Sequence, residues 1–269
     1  AAIYGLMTRR SVIYHLHEVS VSPTPLRWFL ITIARYTARR LIYVSNFHRN
    51  CLPIPSVPSR TIYNSLDRAF LTLAGASSYE HRREACFNVL MVASLRDFKG
   101  VPEFLALARR FLTRQDIHYH LVLNEEDPAI QSYFKGIFAE SNVTVYSRTD
   151  NPAVYYAKAS LVLNLSRPDL WVETFGLTLL EAMAFGIPVI APPVGGPLEL
   201  VSEGNEGFLI DCRNLNELAD KVSQLADDEA LCLSLSARAR DKASHFSPQA
   251  FGQALRESLN LQEAKKSKV

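Results

Sequence analysis

From about residue 86 onward, apolar positions alternate between two rhythms. "NVLMVAS", Asn88 to Ser94, is an apolar run of strand length closed by polar residues. The following "VPEFLALARRF" places Val101, Phe104, Leu105, Leu107, Ala108 and Phe111 on one helical stripe. Strand character returns at His118 to Asn124, Asn142 to Tyr146, Ser160 to Leu165, Ile187 to Pro192 and Gly207 to Asp211. Asn214 with Glu217 three residues later predicts a helix start, and Leu215, Leu218, Ala219, Val222, Leu225 and Ala226 then share a face. Such alternation predicts an α/β fold whose parallel sheet is covered on both faces.

The first seventy residues give a shorter version. Ser11 to Leu16, Leu41 to Ser45 and Thr61 to Asn64 read as strands, and "LRWFLITIARYTARR" reads as a helix. The stretch from Leu66 to Glu84 has no clear periodicity and is expected to connect two α/β halves. The predicted organisation is a partial first domain over 1–72, a complete Rossmann-like domain over 73–248, and a helix and tail over 249–269.

Composition adds few constraints. The chain has 269 residues, 48% of them apolar, and a formal net charge of +2, which gives no reason to expect nucleic acid. No window approaches the roughly 20 apolar residues of a membrane span. Cys51, Cys86, Cys212 and Cys232 form no CxxC pair and read as reduced thiols of a cytosolic protein. The chain begins with Ala1, so the lack of a visible leader carries little weight. In "PLRWFLITIARYTARR", Trp28 and Phe29 beside several Arg are expected to pack into a core, with an amphipathic membrane contact as the second reading.

The chemistry concentrates in "SRPDLWVETFGLTLLEAMAFGIPVIAPPVGGPLELV", Ser166 to Val201. It reads as strand, loop, helix, strand, loop and helix. Glu173 precedes the first helix, Phe175 and Gly176 open it, and Gly186 and Pro188 stop it. A helix beginning at a glycine after a parallel strand turns free N–H groups and a positive dipole end toward a ligand, which suits an anion. Glu181, just over one turn inside, is placed to hold a neutral group attached to that anion, such as a ribose diol. Gly195 and Gly196 form a second glycine turn before a helix. Two such turns suit a diphosphate with a sugar on either side.

These residues resemble the donor site of the family-4 retaining glycosyltransferases, which have the GT-B fold of two facing Rossmann-like domains. That family's signature is Glu, seven residues, Glu, with Phe-Gly after the first; here it is Glu173 and Glu181 in "ETFGLTLLE". The resemblance implies that Glu173 contacts donor-sugar hydroxyls, that Glu181 holds the ribose, and that the N–H groups of Phe175, Gly176 and Leu177 line sugar and phosphate. "VASLRDFKG" resembles a second signature whose Arg and Lys neutralise the leaving diphosphate. Lys99 matches, whereas Ser94 occupies the Arg position and Arg96 lies two residues on. "IYHLHEVS" resembles the acceptor-domain strand that ends in a His near the reacting sugar, which puts His17 at the site; His15 is expected on the opposite face.

The resemblance implies transfer of a sugar from a nucleotide-diphosphate sugar to a saccharide or lipid-linked acceptor, in polysaccharide or glycoconjugate biosynthesis. No metal or other cofactor is expected, and Asp227 to Glu229 reads as a solvated loop. The expected location is cytoplasmic, with peripheral contact at the inner membrane face as an option. The opening strands and Gly-rich loop of the family's acceptor-side domain have no counterpart, so an N-terminally incomplete and poorly active chain is expected. The alternatives are a non-catalytic nucleotide-binding partner subunit and another GT-B enzyme, such as a nucleotide-sugar epimerase or a phosphorylase.

Overall fold

A computed structural model describes residue 7 and residues 12–18, 23–135 and 141–260. It divides into two compact units, Ala1–Ser65 with Phe246–Val269, and Leu66–His245.

The first unit contains β1 (Val12–Leu16), α1 (Thr24–Thr37), β2 (Ala38–Tyr43), α2 (Asn46–Cys51) and β3 (Ser59–Thr61). The strands form a parallel sheet in the order β1-β2-β3. Its small core gathers Ala34, Leu41, Tyr43, Leu52, Ile54 and Val57. Ser45 caps α2 by accepting from the His48 N–H at 3.0 Å. Arg39 and Arg40 lie in β2 rather than at the end of the predicted helix, because Ala38 and Arg40 pair with β1. Strand pairing overrides their good helix propensity.

Two expectations for this unit change. Trp28 and Phe29 are 70% and 54% exposed instead of packed in a core. Leu26, Trp28, Phe29, Leu30 and Ile31 run almost round the helix, so the stripe that packs, through Ile31 and Ala34, cannot include them all. His15 and His17 do not face apart: their ring centroids are 4.3 Å apart. Residues two apart on an extended chain share a side, which explains the contact.

The second unit begins with α3 (Arg68–Ala76), β4 (Phe87–Ala93), a 3-10 turn at Asp97–Lys99 and α4 (Val101–Arg109). It continues through β5 (Ile117–Leu123), α5 (Asp127–Tyr133), β6 (Val143–Tyr146), α6 (Ala153–Tyr156) and β7 (Leu161–Leu163). Then come α7 (Leu177–Ala184), β8 (Val189–Ala191), α8 (Pro197–Leu200), β9 (Gly207–Leu209), α9 (Leu215–Asp227) and α10 (Glu229–Ser244). The six strands are all parallel, in the order β6-β5-β4-β7-β8-β9. The order reverses between β4 and β7, so their carboxyl ends frame the crevice in which open α/β sheets hold ligands. Val101, Phe104 and Leu107 of α4 share one buried cluster with Leu218, Val222 and Leu225 of α9 and Met91 and Leu121 of the sheet.

The boundary falls at Ser65–Leu66 rather than between 72 and 73, and the stretch read as a connection contains α3. Phe70 packs edge-on against Tyr156 and Phe185, and Arg240 donates to the Ala74 carbonyl, which ties α3 to the second unit. The expected separate segment 249–269 is also revised. Its α11 (Pro248–Asn260) belongs to the first unit, where Glu257 pairs with Arg60 at 2.9 Å. Asp227 to Glu229 is exposed between two helices, as expected, but only Asp228 is non-helical, so it is a tight junction of α9 and α10 and not a free loop. Asp227 pairs with Arg114 at 2.8 Å, and Asp228 caps α10 by accepting from the Leu231 N–H.

Candidate functional site

At the reversal point of the second unit lies a cavity of about 410 Å³, lined by Ser94, Lys99, Asn164, Ser166, Glu173 and Glu181 among others. Its floor is the carboxyl ends of β4, β5 and β7. Each charged group reaches it through a local device of the sequence.

Lys99 ends the 3-10 turn that follows β4. Gly100 then takes φ +82°, and a Cβ there would sit 2.2 Å from the Leu165 carbonyl oxygen. Only glycine fits both demands, so Gly100 aims Lys99. The Lys99 Nζ donates to Glu173 Oε2 at 2.8 Å, with the two side chains 22% and 16% exposed.

Glu173 sits on the loop before α7, and the second glycine turn supports that loop. The Gly196 N–H donates to the Glu173 carbonyl at 2.8 Å. A Cβ on Gly195 would lie 2.4 Å from that same oxygen, and one on Gly196 would lie 2.2 Å from the Thr174 carbonyl oxygen. Gly195 and Gly196 therefore fix the backbone carrying Glu173 and do not themselves line the cavity.

Gly176 is the N-cap of α7, with φ +95° and no side-chain cap, so Leu177 and Thr178 present the first turn to the cavity. Phe175 is 2% exposed and anchors this turn from the core side. Glu181 follows on α7. The hydroxyl of Tyr156 donates to Glu181 Oε2 at 2.7 Å. Burial raises the Glu181 carboxyl above the usual carboxylate range; the Tyr156 hydrogen bond opposes this, and the Asp67 charge adds to it.

The structure thus brings Ser94, Lys99, Glu173, Leu177 and Glu181 around one cavity. Arg96 is exposed and outside the cavity lining. His17 belongs to the first unit, next to His15 and close in sequence to Glu18, whose carbonyl accepts from the buried His48 ring at 3.0 Å. Burial lowers the His48 pKa; the bond to Glu18 raises it, and the nearby His17 and His15 lower it.

Three residues escaped the sequence reading. Asn164 and Ser166 follow β7 and line the cavity, with the Ser166 N–H donating to Asn164 Oδ1 at 3.1 Å. The Ser166 Oγ is buried and has no hydrogen-bond partner, an uncommon state for a buried hydroxyl. The signal for both was their position just past an apolar strand. Tyr156 left no local signal. Among the described residues, no group of three His, Cys, Asp or Glu is placed to hold a metal ion. Nor is any helix long and apolar enough to cross a membrane.

The cavity can accept an anion near Lys99 and the α7 N-terminus, and hydroxyl groups at Glu173 and Glu181. Known proteins resemble the chain in sequence and in fold. The chain is 29% identical over 191 residues to N-acetyl-alpha-D-glucosaminyl L-malate synthase of Bacillus anthracis, covering 70% of this chain and 49% of that protein. It therefore spans about half the length of that relative. Anabaena HepE in complex with UDP and glucose superposes with a TM-score of 0.81 at 23% identity, over 96% of this chain and 74% of HepE. HepE in complex with UDP-glucose gives 0.77 at 25% identity, with the same coverage. The family described as glycosyl transferases group 1 matches residues 79–242, which contain the six-stranded sheet and every residue named around the cavity. The chain belongs to the glycosyl transferases group 1 family.

Proposed function

We propose that the chain carries the donor site of a retaining, family-4 type glycosyltransferase, which moves a sugar from a nucleotide-diphosphate sugar to an acceptor hydroxyl. The observation that carries the reading is the convergence on one cavity of Glu173, from the loop before α7, and Glu181, just over one turn inside α7, with the helix N-terminus between them and Lys99 paired to Glu173. The UDP and UDP-glucose complexes of HepE support a nucleotide-sugar ligand.

In this reading the diphosphate draws Lys99 away from Glu173, and the freed carboxylate accepts from sugar hydroxyls. The first turn of α7 faces the phosphates, and Glu181 accepts from the ribose. Ser94 stands where the resembled family signature has an Arg and donates a neutral hydrogen bond. Arg96 adds long-range positive potential only. Charge builds on the leaving diphosphate during bond cleavage, and Lys99 with the helix dipole stabilises it in a cleft that excludes much of the water. His17, in the first unit, is the residue that the resemblance assigns to the acceptor-side domain. The acceptor is a saccharide or a lipid-linked saccharide, the biological setting is polysaccharide or glycoconjugate assembly in the cytoplasm, and no metal takes part.

Incubation of the full protein with nucleotide sugars, followed by proton NMR of the products, tests this. Release of nucleoside diphosphate with a product of unchanged anomeric configuration supports it. An inverted product rejects the retaining mode. An epimerised sugar still attached to its nucleotide, or turnover that requires inorganic phosphate, assigns another GT-B reaction. Nucleotide binding without any turnover assigns a partner subunit.

A further inference from the structure

Tyr156 is 1% exposed and cannot touch a ligand in the cavity, yet its hydroxyl donates to Glu181 Oε2 at 2.7 Å. Its ring is clamped: Phe70 of α3 meets it edge-on at 5.8 Å, and Phe185 at the end of α7 stacks on it at 6.0 Å. Phe70 and Phe185 also meet each other at 5.4 Å. Three aromatic rings thus hold one hydroxyl in place, and aromatic contacts of this kind restrict rotation as well as bury area. The hydroxyl stays a donor at any working pH, because burial and the Glu181 charge push its own pKa well above the ordinary value.

We infer that Tyr156 is a positioning residue for nucleotide recognition: it ties down one oxygen of Glu181 and so leaves Oε1 as a fixed acceptor for a ribose hydroxyl. The inference rests on the proposed donor site and assigns it a discriminating element. Glu181 has a free rotation about its last bond, and an unanchored carboxylate must be ordered by the ligand itself, at a cost in affinity. The anchoring hydrogen bond removes that cost before the ligand arrives. It also opposes the upward push of burial on the Glu181 pKa. The charged groups around that carboxylate are Asp67 at the start of α3, which disfavours the charge, and Lys99 and Glu173, paired with each other in the same cavity. The Tyr156 hydroxyl is the hydrogen bond that opposes burial at Glu181.

Calorimetric titration of the full protein with UDP, GDP and their 2′,3′-dideoxy analogues tests this. Tyr156→Phe keeps the clamped ring and removes only the donor. It should weaken the better-bound ribonucleotide by roughly 5- to 20-fold and leave the dideoxy analogue unchanged. It should also move the acid-side loss of ribonucleotide affinity to higher pH, because Glu181 then protonates more readily. A change of equal size for both ligands, constant across pH, would mean that Tyr156 is structural only. Unchanged ribonucleotide affinity in a folded variant would also overturn the inference. If the wild type binds neither UDP nor GDP, or does not distinguish ribose from dideoxyribose, the donor-site reading fails instead. Should Tyr156→Phe not fold, Glu181→Asp draws the carboxylate back from the hydroxyl and should show the same ribose-selective loss; full ribonucleotide affinity in that variant would reject the anchor.

Discussion

Replacing Lys99 by Met separates binding from catalysis at this site. The ion pair with Glu173 spans 2.8 Å between side chains that are mostly buried. At an effective dielectric constant of about 20, its gross attraction is about 6 kcal/mol. A diphosphate entering the cavity must compete with Glu173 for the lysine, so one attraction replaces another of similar size. The net contribution to donor binding is then small, on the order of 1 kcal/mol, or less than tenfold in Kd. The reacting state differs, because bond cleavage adds negative charge to the leaving diphosphate. Removing one fixed electrostatic partner of a developing charge costs about 2.7–4 kcal/mol, or roughly 100- to 1,000-fold in rate. Lys99→Met should therefore lower kcat for donor consumption far more than it raises the Kd for UDP. Steady-state rates of UDP release and calorimetric titration read the two quantities separately. Equal losses in both would show that Lys99 serves uniform binding, and the argument from the Glu173 pair would be refuted.

Other substitutions probe the scaffold of the cavity. Gly100→Ala meets both a left-handed backbone and the Leu165 carbonyl; it should cost at least about 2 kcal/mol in denaturant unfolding and displace Lys99. Ser166→Ala removes a buried hydroxyl that has no partner; the free protein should keep or slightly gain stability, while affinity for the nucleotide sugar falls. His120 donates to Asn88 Oδ1 and accepts from the Tyr146 hydroxyl, and its pKa is pushed down to about 4 by burial, then by His118 and Lys158. The unfolded chain takes up that proton near pH 6.5 and the folded one does not. Stability should therefore fall by up to about 3 kcal/mol as pH drops from 6.5 to 4, then level off for this group. Unfolding midpoints of His120→Asn against pH should lack that slope.

The second unit was largely legible from sequence because its punctuation is chemical. Gly176, Gly186 and Pro188 bracket α7, and the six strands appear within one or two residues of their apolar runs. Asn214 caps α9 as its spacing with Glu217 indicates. The helix α3 was missed although Asp67 is a readable N-cap, accepting from the Phe70 N–H at 2.8 Å. Thr72, Gly75 and Ser77 hide its periodicity, and only its packing on Tyr156 and Phe185 makes it a stable element. Of the cavity lining, Lys99, Glu173 and Glu181 were legible, whereas Arg96 lies outside it and the groups that aim the three were not legible. Gly195 and Gly196 look like a phosphate turn in sequence, yet their backbone contacts go to Glu173 and Thr174. Tyr156 acquires its role only when α6 is folded against α7, a distance of 25 residues along the chain.

The central claim is that Glu181 reads the ribose of a nucleoside diphosphate in this cavity. Calorimetric titration of wild type and Glu181→Ala with UDP and GDP tests it most directly. The account predicts binding of at least one nucleotide by the wild type and a loss of roughly 1.5–3 kcal/mol in the variant, because a charged hydrogen-bond acceptor is removed. Equal affinities for the folded variant and the wild type would contradict it.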